Sequence, residues 1–279
     1  MRLIRSILKR TAHRRMSRRF PGLDPATLSR RSDTAVIFGS GPSINQITAE
    51  QWSAFAKHDT FGLNFWLLHP FVPRFYFLEG FRDTSERDYF KAELLRRADE
   101  YRDVTWLLQA AELEHYLGGA AKVFDLFPWA GKPALVWLQY RRALVPKEMD
   151  FQRRHFEALP AGIGDEHPKG FGSVTLALSV AYAMGYTTIV LAGIDLDTPG
   201  YFWQQGEGRH SEFRRAGGGV AQLHKTASHD KYHPVQDYIL AFNRLVLEPE
   251  GRKLMLANPT GLLASELSVH SSAFPEAAR

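Results

Sequence analysis

The sequence predicts an α/β fold in which an open, mostly parallel sheet is flanked by helices. Short apolar runs, such as those at 34–38 and 187–192, have the length and composition of buried strands. Segments with helical periodicity separate these runs, and such alternation is typical of parallel sheets. Glycine-rich or polar turns follow several of the runs, at the edge of the sheet where ligands bind in folds of this kind.

The predicted elements follow one another in a regular order. Strands are expected at 34–38, 60–64, 74–78, 104–108, 187–192 and 253–257. Helices are expected from the 39–43 turn through Phe55, then at 85–102, 173–184 and 234–247. Gly185 is placed to end the third of these helices as a C-cap. Residues 120–168 contain many aromatic and proline residues and show no assignable pattern.

The segment 198–231 is rich in glycine, histidine, lysine and arginine and lacks any periodicity. An irregular stretch of this length inside a domain is usually functional and often covers an active site. We therefore expect a small lid region at about 198–231.

The first 31 residues differ in charge from the rest of the chain. They hold ten Lys and Arg against one Asp, whereas the remainder holds 25 basic and 29 acidic residues. Leu3, Ile4, Ile7 and Leu8 fall on one face of a helix among these arginines, so residues 1–20 are expected to lie on an anionic membrane surface. A solvated tail and a nucleic-acid arm are the alternatives, but the mildly acidic remainder argues against nucleic acid. Two parts are thus predicted, a basic segment at 1–31 and one domain at 32–279.

Composition excludes several classes of chemistry and of membrane topology. The chain has no cysteine, which removes disulfides, thiolate nucleophiles and cysteine-ligated zinc. It has no apolar run of 18 residues or more, so no membrane-spanning helix is predicted, and its basic start lacks the continuous apolar stretch of a secretory signal. We expect a cytoplasmic protein that is peripheral to the inner face of the plasma membrane.

Three polar positions follow predicted strands or open predicted helices. Gly39, Ser40, Gly41, Pro42 and Ser43 join a strand to a helix, where glycines allow close approach of a ligand and the helix N-terminus offers N–H groups to a phosphate. Ser43 is placed to cap that helix, and Ser173 is placed to cap the helix at 173–184. Asn64 ends the second strand and would face the ligand crevice. A tight turn at 39–43 and a capping role for Asn64 are the alternatives.

Two further motifs have residue types that suit catalysis. His233 lies between the predicted lid and the last helix, and an imidazole with a pKa near 6.5 suits proton removal at neutral pH. A surface or capping histidine is the alternative. Asp195 and Asp197 resemble the D-x-D carboxylates that hold a divalent cation in metal-dependent sugar transfer, although Asp195 could instead fix its loop. No histidine and glutamate spacing predicts a zinc site.

The order of these motifs resembles that of the bacterial sialyltransferases of glycosyltransferase family 42. The strand and turn at 36–43 are similar to the family's strand followed by G-N-G-P-S. The segment from 172 to 195 is similar to its S-G, A-L-G-Y and S-G-I-D motifs. The segment from His233 through 257–263 is similar to its H-S-K-N-T-D and C-P-N-S-L-L motifs, with matching spacing.

The resemblance implies a Rossmann-like fold, a variant of the GT-A type, that transfers sugar from a CMP-activated donor with inversion and without an essential metal or other cofactor. His233 would take the proton from the acceptor hydroxyl. Asp195 belongs to the motif that adjoins the donor. The other donor-binding positions implied by the resemblance are Gly39, Ser40, Gly41, Pro42, Ser43, Asn64, Ser173, Asn258, Pro259 and Thr260. The acceptor would be a glycan or a lipooligosaccharide, and the family often assembles as a homo-oligomer.

The chain departs from the family pattern where two tyrosine hydroxyls would support the leaving phosphate. Asp197 occupies the first of these positions, and the second falls near Tyr201 or Trp203, so Tyr201 is predicted to serve. Arg209, Lys225 and Tyr232 are further candidates for a group that supports the leaving phosphate. The family's arginine before the second motif is also absent, with Lys169 nearby. These departures leave the donor sugar open among sialic acid, Kdo and related nonulosonic acids.

Three other functions are compatible with the same residues. A motility-associated-factor or pterin-pyrophosphokinase-like protein shares the G-x-G-P-S turn and a G-x-D strand end. A metal-dependent transferase would use Asp195 and Asp197. A non-catalytic nucleotide-binding protein on the membrane surface would bind CMP without turnover.

Overall fold

The computed structural model of this chain describes residues 24–25, 28–81, 83–109, 126–127, 134–156, 159–198, 200–205, 208–213 and 223–270. The predicted amphipathic segment at 1–20 and parts of the predicted lid lie outside these residues. Within them, no helix has the length and apolar character needed to cross a bilayer.

The described residues form one sheet of eight parallel strands in the order β6-β5-β4-β3-β2-β1-β7-β8. The strands are β1 (Thr34–Phe38), β2 (Asp59–Leu63), β3 (Phe75–Leu78), β4 (Thr105–Gln109), β5 (Leu135–Arg142), β6 (Glu166–Lys169), β7 (Thr188–Ala192) and β8 (Lys253–Leu256). From β1 the chain proceeds strand by strand to one edge, then returns to place β7 on the other side of β1. The order of strands therefore reverses between β1 and β7, and in open sheets such a switch point opens a crevice beyond the carboxyl ends of the strands.

Helices cover both faces of the sheet. The α-helices are α1 (Ala49–Phe55), α2 (Thr84–Arg96), α3 (Ser173–Ala183) and α4 (Val235–Phe242), the last of which continues as a π-helical turn at Asn243–Leu247. Short 3₁₀ helices occur at Pro42–Gln46, Asn64–Leu68, Arg153–Phe156, Phe202–Gln204 and Glu248–Glu250. Because side chains alternate along a strand, Phe38 packs with α1 and α2 on one face while Ile37 packs with α3 and α4 on the other.

The predicted α/β fold with a parallel sheet is confirmed, and the six predicted strands agree with the structure to within a residue or so. Strands β5 and β6 were not predicted. Strand β6 contains Pro168, which lacks the N–H that an interior strand needs, and the structure explains its presence because β6 is the last strand of the sheet. Gly185 has a φ of 81°, as the predicted C-cap requires.

The chain after the first strand differs from the predicted single helix. Pro42–Gln46 is a separate 3₁₀ turn that begins after Gly41, and α1 starts anew behind Thr48, whose side chain forms a capping box with Gln51. Ser43 therefore lies inside the 3₁₀ turn and is not a cap, and its hydroxyl donates to Asp195. Ser173 is likewise the first residue of α3 behind Gly172, so its predicted capping role is also wrong.

Candidate active site

A cavity of about 330 Å³ opens at the carboxyl edge of the sheet, at the switch point between β1 and β7. Its walls come from the turns after β1, β2, β3 and β7, from the start of α3 and from residues 224–226. Of the thirteen predicted site residues, Gly39, Ser40, Gly41, Asn64, Ser173, Asp195 and Tyr201 line it. Pro42, Ser43, His233, Asn258, Pro259 and Thr260 are not among its lining residues.

The glycine turn after β1 forms one wall by lying directly against the loop after β7. The N–H of Gly39 donates to the Ala192 carbonyl and that of Gly41 to the Gly193 carbonyl, each at 2.8 Å. A Cβ atom at Gly39 would lie 2.4 Å from the Gly193 oxygen, and one at Gly41 would lie 2.3 Å from the Asp195 carboxylate. Glycine is thus required for contact between two loops, and the N–H groups of both glycines are already used within the protein.

Asp195 anchors the 3₁₀ turn behind this wall. One of its carboxylate oxygens accepts from the Ser43 N–H at 2.9 Å and the other from the Ser43 hydroxyl. Asp195 is only 4% exposed, and this burial raises the pKa of its carboxyl group although the two Ser43 contacts oppose the shift. The side chain of Asp197 contacts Thr198 instead. Within the described parts of the chain, no three His, Asp or Glu side chains are grouped to hold a metal ion.

The N-terminus of α3 gives the cavity a positive end. Gly172 precedes the helix with a φ of 76° and supplies no side-chain cap, and the first turn holds no acidic residue. Ser173 and Val174 line the cavity, and Lys225 lies exposed at its rim. Because the first N–H groups of a helix lack partners within the helix and carry its positive dipole end, this arrangement favours an anion.

A chain of hydrogen-bonded polar side chains, running from Asn64 to the buried Lys169, forms another wall. Asn64 has a φ of 53°, and its amide donates to the Ser173 hydroxyl at 3.1 Å. That hydroxyl donates to one carboxylate oxygen of Glu79 at 2.5 Å. The other carboxylate oxygen accepts from the ammonium of Lys169 at 2.7 Å, and the same ammonium donates to Gln109 at 2.6 Å. Lys169 is fully buried, whereas the Glu79 side chain is 28% exposed and lines the cavity.

The turn at 224–226 closes a third side of the cavity. The N–H of His224 donates to the Leu196 carbonyl at 2.8 Å, which ties this turn to the loop after β7. The imidazole Nδ1 of His224 accepts from the Thr226 N–H at 3.3 Å and also contacts the Thr226 hydroxyl at 2.8 Å. Since Nδ1 accepts, the ring proton of neutral His224 lies on Nε2, and this ring is suited to donate a hydrogen bond.

His233 is held in a different environment from the one predicted for a base in the cavity. Its Nδ1 lies 2.8 Å from the Asp237 carboxylate and its Nε2 lies 2.9 Å from the Met149 carbonyl, while its ring packs 4.9 Å from that of Phe151. Both partners only accept hydrogen bonds, so the doubly protonated ring satisfies both. Burial disfavours that charge, but Asp237 and the Met149 carbonyl outweigh it and raise the pKa of His233. The structure does not bring His233 together with the donor-binding residues, and its role as a base remains a prediction.

The predicted cytidine-binding turn lies behind the Asp195 loop. The Asn258 amide donates to the Ser43 carbonyl at 3.2 Å, and a Cβ atom on Gly261 would lie 2.5 Å from the Asp195 carbonyl oxygen. Within the described residues, the Asn258 side-chain oxygen and the Thr260 hydroxyl are buried without a hydrogen-bond partner. Because neither residue lines the cavity, the structure does not place this turn in contact with a ligand bound there.

The groups considered for phosphate support are separated by the structure. Tyr201 and Lys225 line the cavity. Arg209 instead pairs with Glu93 on α2 at 2.8 Å, and Tyr232 packs against His229 away from the lining.

Glu79 and Lys169 were not among the predicted site residues. Glu79 could have been predicted from its position directly after β3, because ligands of open parallel sheets bind beyond the carboxyl ends of the strands. Lys169 ends strand β6, which the sequence pattern did not reveal.

These features define an open, parallel α/β protein with a ligand cavity at the switch point of its sheet. No family model and no curated protein sequence matches the chain. Two solved structures align with it at 17% identity each. One is the sialyltransferase CST-II in complex with a trisaccharide acceptor and CMP, with a TM-score of 0.44 and 85% of each chain covered. The other is the alpha-2,3-sialyltransferase from Campylobacter jejuni in apo form, with a TM-score of 0.46, 88% of this chain and 83% of that chain. Similarity at this level does not define an activity.

Proposed function

We propose that this chain is an inverting glycosyltransferase that moves sialic acid, Kdo or a related nonulosonic acid from a CMP-activated donor to a glycan or lipooligosaccharide acceptor. The observation that carries the proposal is the uncapped N-terminus of α3, which opens onto the switch-point cavity beside Lys225. The CMP donor itself comes from the resemblance of the motifs at 36–43, 172–195 and 233–263.

In this proposal the phosphate of the donor lies at the start of α3. The N–H groups of Ser173 and Val174 and the Lys225 ammonium are the groups that would bind it, since the Ser173 hydroxyl already donates its proton to Glu79. Negative charge grows on the phosphate as the bond to the sugar breaks, so donors already fixed at that position stabilise the transition state more than the ground state. Tyr201 lines the same cavity and would add its hydroxyl. The wall of Gly39 and Gly41 would then face the nucleotide.

Lys225→Ala tests the positive end of the cavity. We expect kcat to fall about 10- to 1,000-fold, because a single donor to a developing oxyanion contributes roughly that much. Lys231→Ala is a matched control, since Lys231 is exposed and does not line the cavity. Equal activity of both variants and the wild type would remove Lys225 from the proposed mechanism.

Acceptor activation is assigned to His233 on the resemblance alone. In the described geometry both ring nitrogens are engaged, so the ring would have to release the Met149 carbonyl and lose a proton before acting as a base. His233→Ala should then abolish transfer while CMP binding persists. A variant that retains the wild-type kcat, with its pH profile unchanged, would show that the base is another group.

Nucleotide binding is the direct test of the whole proposal. CMP should raise the melting temperature of the purified protein by mass action, by an amount that grows with CMP concentration, whereas UDP and GDP should leave it unchanged. Stabilisation by UDP or GDP and not by CMP would refute the CMP assignment. CMP binding without transfer to any glycan acceptor would favour the non-catalytic nucleotide-binding alternative, which the engagement of His233 also favours.

The proposal places the enzyme at the inner face of the plasma membrane through residues 1–20. Deleting these residues should abolish sedimentation with vesicles containing anionic phospholipid and leave CMP binding intact. Sedimentation that is equal for the full chain and the deletion variant would refute membrane attachment by this segment.

A further inference from the structure

We infer that Glu79 recognises a pair of neighbouring hydroxyl groups on the ligand, either on the ribose or on the transferred sugar, and that the buried Lys169 positions it for this task. The inference deepens the proposed function, since it rests on a sugar-bearing ligand occupying the cavity. It concerns the polar wall of the cavity formed by Asn64, Ser173 and Glu79, and in particular the Glu79 carboxylate, which the phosphate does not use.

The geometry of the Glu79 carboxylate carries the inference. One oxygen accepts from Ser173 at 2.5 Å and the other from Lys169 at 2.7 Å, so the plane of the carboxylate is fixed from both ends. Each carboxylate oxygen has two acceptor directions, and the group lines the cavity with 28% of its side chain exposed. A fixed carboxylate that only accepts hydrogen bonds selects ligand groups that donate them, and hydroxyl groups do so without carrying charge.

Lys169 explains how a carboxylate is tolerated in a cavity suited to anions. Its ammonium is fully buried, contacts Gln109 at 2.6 Å, and lies 4.7 Å from the centre of the Tyr140 ring. A buried ammonium is costly unless it is paired and hydrogen-bonded, and Glu79 supplies the countercharge. The pair is electrically neutral as a unit, so Glu79 can accept hydroxyl groups without a net charge that would repel a ligand phosphate.

Asn64 and Ser173 extend this wall toward the start of α3. The Asn64 oxygen accepts from the Glu79 N–H at 3.3 Å while its amide nitrogen donates to the Ser173 hydroxyl. Asn64 therefore fixes both the backbone and the hydrogen-bonding partner of Glu79. Ser173 belongs both to this wall, through its hydroxyl, and to the start of α3, through its N–H. The hydroxyl-binding wall therefore lies directly beside the proposed phosphate position.

Isothermal titration with ligands that differ by one hydroxyl group tests the inference. The probes are CMP, 2′-deoxy-CMP, 3′-deoxy-CMP and a CMP-activated nonulosonic acid, titrated into wild type, Glu79→Gln and the control Asp197→Asn. If the ribose is recognised, Glu79→Gln should weaken CMP binding about 10- to 100-fold. It should weaken binding of 2′-deoxy-CMP and 3′-deoxy-CMP by clearly less, because each analogue has already lost one of the two contacted hydroxyl groups. If the transferred sugar is recognised, only the binding of the CMP-sugar should weaken. Asp197→Asn should match the wild type with every probe.

Lys169→Met tests the positioning role. If Lys169 is purely structural, its substitution should lower stability and should lower the affinity for all ligands by the same factor. If Lys169 positions Glu79, the substitution should reduce the ratio of CMP to deoxy-CMP affinity, or the ratio of CMP-sugar to CMP affinity. Glu79→Gln leaves the Lys169 charge buried without its carboxylate, so the double variant Glu79→Gln/Lys169→Met is the folding control. It should unfold at a denaturant concentration nearer to that of the wild type than either single variant, and it should show no hydroxyl discrimination.

Two results overturn the inference. The first is an equal loss of affinity for hydroxyl-bearing and deoxy ligands in Glu79→Gln, and the second is no loss for any ligand. Failure of the proposed function is a separate result, in which the wild type binds no cytidine ligand. The same comparison is then made with AMP, GMP and UMP and their 2′-deoxy forms, and if Glu79→Gln alters no ribose-dependent binding the inference fails as well.

Discussion

The contact between Asp195 and Ser43 allows a structural carboxylate to be distinguished from a metal ligand by substitution. Asp195→Ala removes both acceptors, leaving the buried N–H and hydroxyl of Ser43 without their partners. Asp195→Asn retains an oxygen for the Ser43 N–H and places an amide beside the Ser43 hydroxyl, which can turn to accept. Asp197→Ala is the matched control, because it alters the second carboxylate of the same D-x-D motif.

The magnitudes expected for these three variants differ widely. A buried donor left unsatisfied costs roughly 1–3 kcal/mol, so Asp195→Ala should lower the free energy of unfolding by about 3 kcal/mol. For a domain of this size that corresponds to a fall in melting temperature of about 6–12 °C. Burial raises the pKa of Asp195, which means that the folded protein disfavours its charge, so the neutral Asp195→Asn should stay within about 1 kcal/mol of the wild type. Asp197→Ala should change stability by less than about 0.5 kcal/mol.

Urea unfolding followed by circular dichroism measures all three values, and each protein is also assayed for transfer with and without excess EDTA. Our account requires Asp195→Ala to be far less stable than Asp195→Asn and transfer by the wild type to survive EDTA. If Asp195→Asn and Asp197→Ala both keep full stability but lose an EDTA-sensitive activity, the two carboxylates hold a metal and the structural assignment is refuted.

Three further predictions concern the stability of the fold. The pKa of His233 is raised in the folded state. Its contribution to the free energy of unfolding is therefore fully present below about pH 6.5 and is lost as the pH rises through the folded-state pKa. In urea unfolding, His233→Asn should lose more stability at pH 5.5 than at pH 8.5, and the reverse order would contradict the pairing with Asp237. Burial and the nearby charge of Arg97 lower the pKa of His69 to about 4. The wild type should therefore lose stability as the pH falls from 6.5 to 4, by at most about 3 kcal/mol from this group. His69→Gln should lose less stability over the same pH range, and melting temperatures measured across it test this. Gly172→Ala should cost about 1–3 kcal/mol in urea unfolding, because a φ of 76° strains any residue with a Cβ atom, and no loss would contradict this backbone geometry.

Much of the fold could be predicted because its strands and helices carry strong local signals. Strand β1 matches its predicted bounds because all but its first residue are buried and apolar. Strand β6 could not be predicted in this way, since its four residues include Glu, His, Pro and Lys. The burial of Lys169, for example, depends on partners far along the chain, since its ammonium donates to Glu79 and Gln109, which are 90 and 60 residues away.

The candidate site was predictable where it depends on strand ends and not where it depends on loop packing. Asn64 and Ser173 could be assigned to the cavity because parallel strands and the helices that follow them meet at one edge. The sequence does not reveal that Asp195 turns toward Ser43, or that the His233 ring also contacts the Met149 carbonyl. Those orientations are set by contacts between segments about 80 to 150 residues apart, which no local pattern encodes.

The balance of charge in the cavity limits which ligands it can hold. The start of α3 and Lys225 favour an anion, while an unpaired Glu79 carboxylate beside them would repel it by about 4 kcal/mol at 4 Å and an effective dielectric constant of 20. Pairing with Lys169 removes most of this repulsion, so the cavity presents an anion-binding end and a hydroxyl-binding wall that share Ser173. A phosphorylated sugar or nucleotide carries both features within a few bonds of each other. A neutral glycan lacks the phosphate, and an inorganic anion lacks the hydroxyl groups, so neither would engage both walls.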